Sequence, residues 1–97
     1  MTEREEALAL AASYVTGQRD AQYGSPSDNF RNIANLWSIL FDRTFTKEDV
    51  AVAMIAVKLA RLSSNSGFQG DTWIDIAGYA ACGYEVGKSS SAERSHT

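Results

Sequence analysis

The sequence lacks most of the side chains on which common enzyme and secretory classes depend. Of its 97 residues, one is cysteine, one is proline and one is histidine. A single thiol cannot form an internal disulfide, so nothing indicates an oxidising compartment. The histidine, His96, lies in the C-terminal tail, which leaves the folded part without the usual general base. No P-loop, dinucleotide-binding fingerprint, zinc-ligand spacing or nucleophile elbow is present, so those chemistries are set aside.

Long apolar runs and an excess of positive charge are also missing. No apolar run reaches about 18 residues, so no membrane span is expected. The acidic, polar N-terminus does not fit a secretory signal, and a cytoplasmic location is predicted. Lys and Arg number 9 and Asp and Glu number 12, a net charge of −3. Because phosphate binding normally needs a basic face, duplex nucleic acid is not an expected partner.

Helix signals divide the chain into four segments, and no period-two alternation indicates strands. Thr2 and Glu5 form a capping box for the first helix. Thr46 and Asp49 form a close variant of that box for the third. The predicted helices cover residues 2–16, 26–42, 47–62 and 72–86.

Short connections between these helices favour antiparallel neighbours. The predicted fold is therefore all-α, a four-helix bundle-like single domain over residues 1–87. Asp71 is predicted to cap the fourth helix and Gly87 to end it. The tail, residues 88–97, has no apolar residue larger than alanine, so ordering it would gain little burial. It is predicted to be disordered.

The third and fourth predicted helices are apolar nearly all round. Within residues 50–62 of the third helix the only charged side chains are Lys58 and Arg61, and within residues 73–84 of the fourth the only one is Asp75. Since a surface helix should have one polar face, these helices are expected to drive self-association into a homo-oligomer. Gly78 and Gly83 would permit close helix contact. The alternative is a compact monomer in which the two helices form a central hairpin covered by the first two.

The charges in and beside those helices are the first candidate site. Lys58 and Arg61 are three residues apart and share a helix face, and Asp71 and Asp75, four apart, share another. If the helices are antiparallel neighbours, the two faces can meet. One interpretation is an ion-pair cluster that fixes the helix register, because buried charges are costly unless paired. The other is a ligand site in which the cations bind phosphate and the carboxylates hold Mg²⁺, a ribose or a base edge.

The turn before the second helix is the other candidate site. Tyr23 and Gly24 precede a helix N-terminus, where free N–H groups favour anions. Arg19 and Arg31 flank this turn, and Tyr23 can stack on a base. Asp28, however, already occupies the positive end of the helix dipole. The alternative is an ordinary capped turn with Tyr23 packed on the core.

Trp37, Trp73 and Cys82 are predicted to be core residues. Tryptophans at helical spacing are more often core than ligand platforms. Cys82 has no basic neighbour in sequence and no folded histidine to activate it, so it is interpreted as a small core side chain and not as a nucleophile.

Several short motifs together carry a family resemblance over about residues 18–85. They are Tyr23-Gly24, Asn29-Phe30, Ile33-Ala34-x-Leu36-Trp37, Glu48-Asp49-Val50-Ala51, Lys58-x-Ala60-Arg61 and Asp71-x-Trp73-x-Asp75-Ile76-Ala77-Gly78-Tyr79. This pattern resembles a family of small bacteriophage proteins without an assigned activity. More loosely, it is similar to a phage domain associated with nucleotide modification. The resemblance implies a nucleotide ligand, action in the cytoplasm of an infected host, and a place for Asn29 in the ligand-binding set.

A more distant likeness is to the all-α MazG-type nucleoside triphosphate pyrophosphohydrolases. Those helical oligomers hold Mg²⁺ through a Glu-Glu-x-x-Glu run and a later Glu-x-x-Asp. Here Asp71-x-x-x-Asp75 is off by one residue from the second element, and the Glu-Glu-x-x-Glu run is absent. The likeness makes Asp71 and Asp75 the metal-ligand candidates if the protein is an enzyme. Otherwise no cofactor is expected.

Three functions follow from these observations. The first is a small oligomeric phage protein that binds a nucleotide or nucleotide-like phosphate ligand, in nucleotide metabolism or in sequestering a host signal. The second is a non-enzymatic phage protein that binds a host protein through its apolar helices, for which an exposed apolar patch is the expected sign. The third is a Mg²⁺-dependent nucleotide pyrophosphohydrolase similar to MazG.

Overall fold

Four α-helices make up the fold of the described residues, which form no strand. The computed structural model describes residues 1–17, 22 and 24–95. For residues 92–95 it describes the helical backbone and not the side chains. The helices are α1 (Glu3–Val15), α2 (Pro26–Phe41), α3 (Lys47–Ser64) and α4 (Gly70–Ser95). This confirms the predicted all-α, four-helix fold class. Within the described residues, no helix combines the length and apolarity needed to cross a membrane.

Side chains just before α1 and α3 fix where these helices begin. The Thr2 hydroxyl accepts the Glu5 N–H at 3.1 Å, and the Glu5 carboxylate accepts the Thr2 N–H at 3.0 Å. Thr46 and Asp49 exchange the same two bonds at 3.1 and 2.8 Å. Both predicted capping boxes are confirmed, because each satisfies backbone N–H groups that have no partner inside the helix.

The start of α4 differs from its predicted position. The helix begins at Gly70, so Asp71 lies in its first turn and is not the N-cap. The backbone shows why: the Trp73 N–H already donates to the Gln69 carbonyl at 3.2 Å, so the helical bonding pattern begins before Asp71. The predicted capping role of Asp71 was therefore wrong.

The end of α4 also differs, because the helix passes through Gly87 and continues to Ser95. A Cβ built at Gly87 would lie 3.1 Å from Glu48 Oε2 of α3, so this glycine permits close packing and does not stop the helix. The predicted end at Gly87 was wrong for that reason. Disorder of residues 88–97 stays a prediction, and residues 96 and 97 lie outside the described part of the chain.

The α3–α4 pair is the centre of the fold. The two helices run antiparallel, with Ala51 facing Gly83 and Lys58 facing Asp75. They share the most extensive helix interface, while α1 packs on α4 and α2 packs mainly on α3. At Gly83 a Cβ would come 3.2 Å from the Ala51 Cβ, so glycine allows this close approach.

The buried core is small and lies between α2, α3 and α4. Val50 and Val86 are fully buried at its centre. The remaining members of the cluster are Phe30, Ala34, Ala51 and Cys82. The prediction of Cys82 as a core side chain is confirmed, since it is 8% exposed.

The two tryptophans have different environments. Trp37 is partly buried against the core and meets Phe45 edge-on, with ring centroids 5.8 Å apart. Trp73 is 55% exposed, so its prediction as a core residue was wrong. The physical reason is its position on the helix: it lies on the side of α4 opposite to Cys82 and Val86.

Candidate functional site

A cleft of about 270 Å³ lies where α1 passes the α3–α4 pair. Its lining is mixed, with apolar side chains, one cation, one carboxylate and tyrosines from two helices. Its lining residues are Tyr14, Val15, Lys58, Ile74, Asp75, Gly78, Tyr79 and Cys82. We call it the α1–α4 cleft.

The charged groups of the α1–α4 cleft form an ion pair. Lys58 Nζ of α3 lies 3.0 Å from Asp75 Oδ2 of α4, and the two side chains are 13% and 38% exposed. Among the described residues, no other ion pair joins two helices. The predicted meeting of the two helix faces is therefore observed for this pair, which serves the helix register and also places both charges in the cleft.

A close approach of α1 to α4 shapes the cleft wall. A Cβ at Gly78 would lie 3.0 Å from Val15 Cγ1, a distance that real Cβ atoms rarely show. Only glycine lets Val15 sit this near α4. Because Gly78, Asp75 and Tyr79 are within a turn or so of one another on α4, this contact also holds α1 beside the ion pair.

The arrangement suits a small polar ligand with a planar part. A lysine ammonium has three donors, of which Asp75 uses one, so two remain for phosphate or carbonyl oxygens. The Asp75 carboxylate, partly exposed, can accept from a hydroxyl or an amine. The rings of Tyr14 and Tyr79 can pack against a planar group.

Arg61 and Asp71 do not join this ion pair. Arg61 is exposed, and its carbonyl accepts the Asn65 N–H at 3.2 Å. Asp71 is exposed and lines a different cleft. Of the four residues predicted to form one site, only Lys58 and Asp75 are brought together.

A second cleft, of about 570 Å³, is separate from the α1–α4 cleft. It lies between the N-terminal part of α1 and the start of α4. Its charged lining residues are Glu3, Arg4, Glu6 and Asp71, and its aromatic ones are Phe68 and Trp73. Three carboxylates against one guanidinium make this cleft acidic, which disfavours a phosphate ligand.

The described residues contain no group of three or more His, Cys, Asp or Glu side chains placed to hold a metal ion. Asp71 and Asp75 line different clefts, and Asp75 is already paired with Lys58. The geometry therefore does not add to the case for a Mg²⁺ site, and a metal-binding role for these two residues stays a prediction.

Part of the predicted turn site lies outside the described residues, namely Arg19 and Tyr23. Asn29 is partly buried near the start of α2. The helix N-terminus is satisfied locally, because the Ser25 hydroxyl accepts the Asp28 N–H at 3.2 Å. Asp28 in turn pairs with Arg31 at 3.2 Å. A ligand-binding role for Asn29 stays a prediction.

Sequence reasoning did not assign the two tyrosines of the α1–α4 cleft, Tyr14 and Tyr79, to the site. Tyr79 follows Asp75 by four residues, a spacing that could have placed it on the same side of α4. Tyr14 carried no usable signal, because α1 is apolar on several sides and nothing in its pattern says which side meets α4.

The fold and the cleft define a small all-α protein in which an ion pair between α3 and α4 lies in a cleft bordered by α1. This class of protein has no single function. A family model described as a domain of unknown function (DUF6378) matches residues 6–87, and the chain belongs to this family. This confirms the resemblance to a small phage protein family of unknown function, because its curated relatives come from bacteriophages. The looser likenesses to a nucleotide-modification domain and to MazG-type enzymes are not shown.

Two curated relatives are gene 55 proteins of mycobacteriophages. The chain is 47% identical over 75 residues to the Gene 55 protein of Mycobacterium phage L5, covering 75% of this chain and 47% of the relative. It is 38% identical over 78 residues to the Gene 55 protein of Mycobacterium phage D29, covering 80% and 51%. The chain thus spans about half the length of these relatives. No solved structure matches it.

Proposed function

We propose that this protein binds a nucleotide-like phosphate ligand in the α1–α4 cleft, without catalysis, in the cytoplasm of a phage-infected host. The observation that supports this is the Lys58–Asp75 pair, 3.0 Å apart, in a cleft that tyrosines line from two helices. An ion pair that only fixed the register of α3 and α4 would need neither a cleft nor aromatic side chains beside it.

The size of the cleft limits the ligand. Small-molecule pockets span about 300–1,000 Å³, and this cleft, at about 270 Å³, is at or just below the small end. A mononucleotide, or a small cyclic one, is the class that we propose. Lys58 binds its phosphate, Asp75 accepts from a sugar hydroxyl, and a tyrosine ring packs on the base.

Calorimetric titration with mononucleotides and cyclic mononucleotides tests this proposal. Lys58→Met removes the cleft cation and keeps an apolar side chain of similar length, and we expect at least a tenfold loss of affinity. Arg61→Met is the matched control, because it removes a cation three residues away that lies outside the cleft. Its affinity should equal that of the wild type.

Absence of heat with the wild-type protein across all these ligands would overturn the proposal. An equal loss in the Lys58→Met and Arg61→Met variants would overturn the assignment to the α1–α4 cleft. In that case the effect would reflect net charge and not a specific site.

A second candidate function is binding of a host protein, which a separate apolar patch favours. Four large side chains in the last turns of α2 are 60–79% exposed: Leu36, Ile39, Leu40 and Phe41. Exposed apolar patches of this kind commonly mark protein-binding sites. Affinity capture from a host lysate would compare the wild type with an Ile39→Ser/Leu40→Ser variant. A host protein that both retain equally does not bind this patch.

A further inference from the structure

We infer that a second copy of this chain covers the outward side of the α3–α4 pair, forming a two-fold dimer. The surface is separate from the α1–α4 cleft, so this inference does not depend on the proposed ligand. We call this surface the α3–α4 outer face. It consists of Val52, Ala56, Leu59, Trp73, Ala77, Ala80 and Tyr84.

On α4, the outer face is a stripe along one side of the helix. Trp73, Ala77, Ala80 and Tyr84 follow one another at intervals of four, three and four residues, which is the spacing of a helix-pairing seam. Trp73 is 55% exposed and Tyr84 is 70% exposed. The aromatic side chains lie at the two ends of the stripe, and the alanines lie between them.

On α3, a second stripe runs beside the first. Val52 is 65% exposed and Leu59 is 52% exposed, with exposed Ala56 between them. The antiparallel register, in which Ala51 faces Gly83 and Lys58 faces Asp75, places Val52 near the Tyr84 end and Leu59 near the Trp73 end. The two stripes therefore form one continuous surface.

The outer face carries no charge. Within residues 50–60 and 72–84 the charged side chains are Lys58 and Asp75, which bind each other on the side that faces α1. The next charge along α4 is Glu85, which follows Tyr84 but lies about 100° further around the helix. Lys88 marks the boundary, with its ammonium 5.7 Å from the centroid of the Tyr84 ring. A solvent-facing side of two helices would normally carry charges along this length.

The order of side chains on α4 is self-complementary. In a two-fold pair, residue i meets j and residue j meets i. Antiparallel pairing of α4 with its copy sets Trp73 against Tyr84 of the second copy, and Ala77 against Ala80. Small residues at the centre allow the helices to approach, and an aromatic pair closes each end. The members of the face are themselves uncharged, so none of them opposes the pairing of two chains of net charge −3, and the carboxylates of the second cleft lie at its rim, beside Trp73.

The chain exposes a large surface for its mass. A folded monomer of 10.6 kDa usually has an accessible surface of about 5,500 Å². This chain has 6985 Å². The helical extension beyond Gly87 and the apolar side chains of the outer face both contribute to the exposed area.

Light scattering of the full chain at micromolar concentration measures the assembly directly. We expect twice the 10.6 kDa mass of one chain. Ala80→Lys places a charge at the centre of the outer face and should give a monomer. Ala12→Lys is the matched control, an exposed alanine of α1 outside this face, and it should remain a dimer. Circular dichroism would check that both variants keep the helical fold.

A register test supplements the mass measurement. A mixture of Ala77→Cys and Ala80→Cys chains should oxidise to a mixed disulfide dimer in preference to either homodimer, because these positions face each other across the two-fold axis. A monomeric wild type, or a dimer that Ala80→Lys leaves intact, would overturn the inference. A larger ring, or no preference for the mixed disulfide, would overturn the two-fold pairing of α4.

Discussion

At the scale of single residues, Lys58 and Asp75 are unequally buried, and this difference decides which of them matters more for folding. Lys58 is 13% exposed, whereas Asp75 is 38% exposed. Removing the carboxylate therefore leaves a mostly buried ammonium without its partner. Removing the ammonium leaves a carboxylate that water reaches. A buried charge without a partner is more costly than a hydrated one.

We expect Asp75→Asn to lower the free energy of unfolding by about 1–3 kcal/mol, and Lys58→Met by less than about 1 kcal/mol. Urea denaturation of the two variants and the wild type measures both changes. Equal losses, or a larger loss for Lys58→Met, would contradict the inferred burial.

At the scale of helices, the contact between α1 and α4 depends on a pair of residues that can be varied together. We expect Gly78→Ala to destabilise the protein, although alanine is favoured over glycine in a helix by about 1 kcal/mol. The new Cβ would lie 3.0 Å from Val15 Cγ1. Val15→Ala removes that methyl group, so the double variant should lose less stability than the sum of the two single changes. If the losses of stability in the two single variants simply add up in the double variant, another contact sets the distance between α1 and α4.

The capping box of α1 makes the start of this helix sensitive to pH. Hydrogen bonds from the Thr2 backbone and hydroxyl lower the pKa of Glu5 from its ordinary value of 4.5. Because the folded pKa lies below the unfolded one, the stabilisation is present above pH 4.5 and is lost as pH falls through the lowered pKa.

An NMR titration of the Glu5 carboxyl should therefore give a midpoint below 4.5. Thr2→Pro is the control, because it removes both the N–H and the hydroxyl while Thr2 has a φ of −73° that proline accepts. Its midpoint should return to the ordinary value. A midpoint that this change does not move would show that the box is not formed.

Helix positions were largely predictable from the sequence because capping is local. Thr2 and Thr46 act on groups three residues away, so their patterns can be read directly. The role of Gly87 was not predictable, since a glycine can end a helix or admit a neighbour, and only the nearness of Glu48 decides between the two.

The candidate site was predictable only in part for a related reason. The spacing of Lys58 and Arg61 places both on one side of α3, but it does not say that Arg61 turns outward. Tyr14 comes from a distant helix whose apolar residues do not single out one face. Long-range packing, which no local pattern contains, brings it to the cleft.

At the scale of the whole molecule, the small core makes stability sensitive to a few side chains. We expect Phe30→Ala to cost about 3–5 kcal/mol, because Phe30 is 4% exposed in the core cluster. That is a large share of the 5–15 kcal/mol typical of a domain. Phe68→Ala makes the same chemical change at a residue that is 90% exposed, and it should shift stability by about 0.5 kcal/mol or less. Thermal unfolding of the two variants would show whether the core lies where the structure places it.

The exposed indole of Trp73 gives the protein an optical label. The chain has two tryptophans, and Trp37 packs against Phe45 and is not a member of the α3–α4 outer face. Indole emission shifts to shorter wavelength when water is removed from around the ring. A molecule that binds to the α3–α4 outer face is therefore expected to shift the emission of Trp73 to shorter wavelength, while Trp37, which lies outside this face, contributes the rest of the signal.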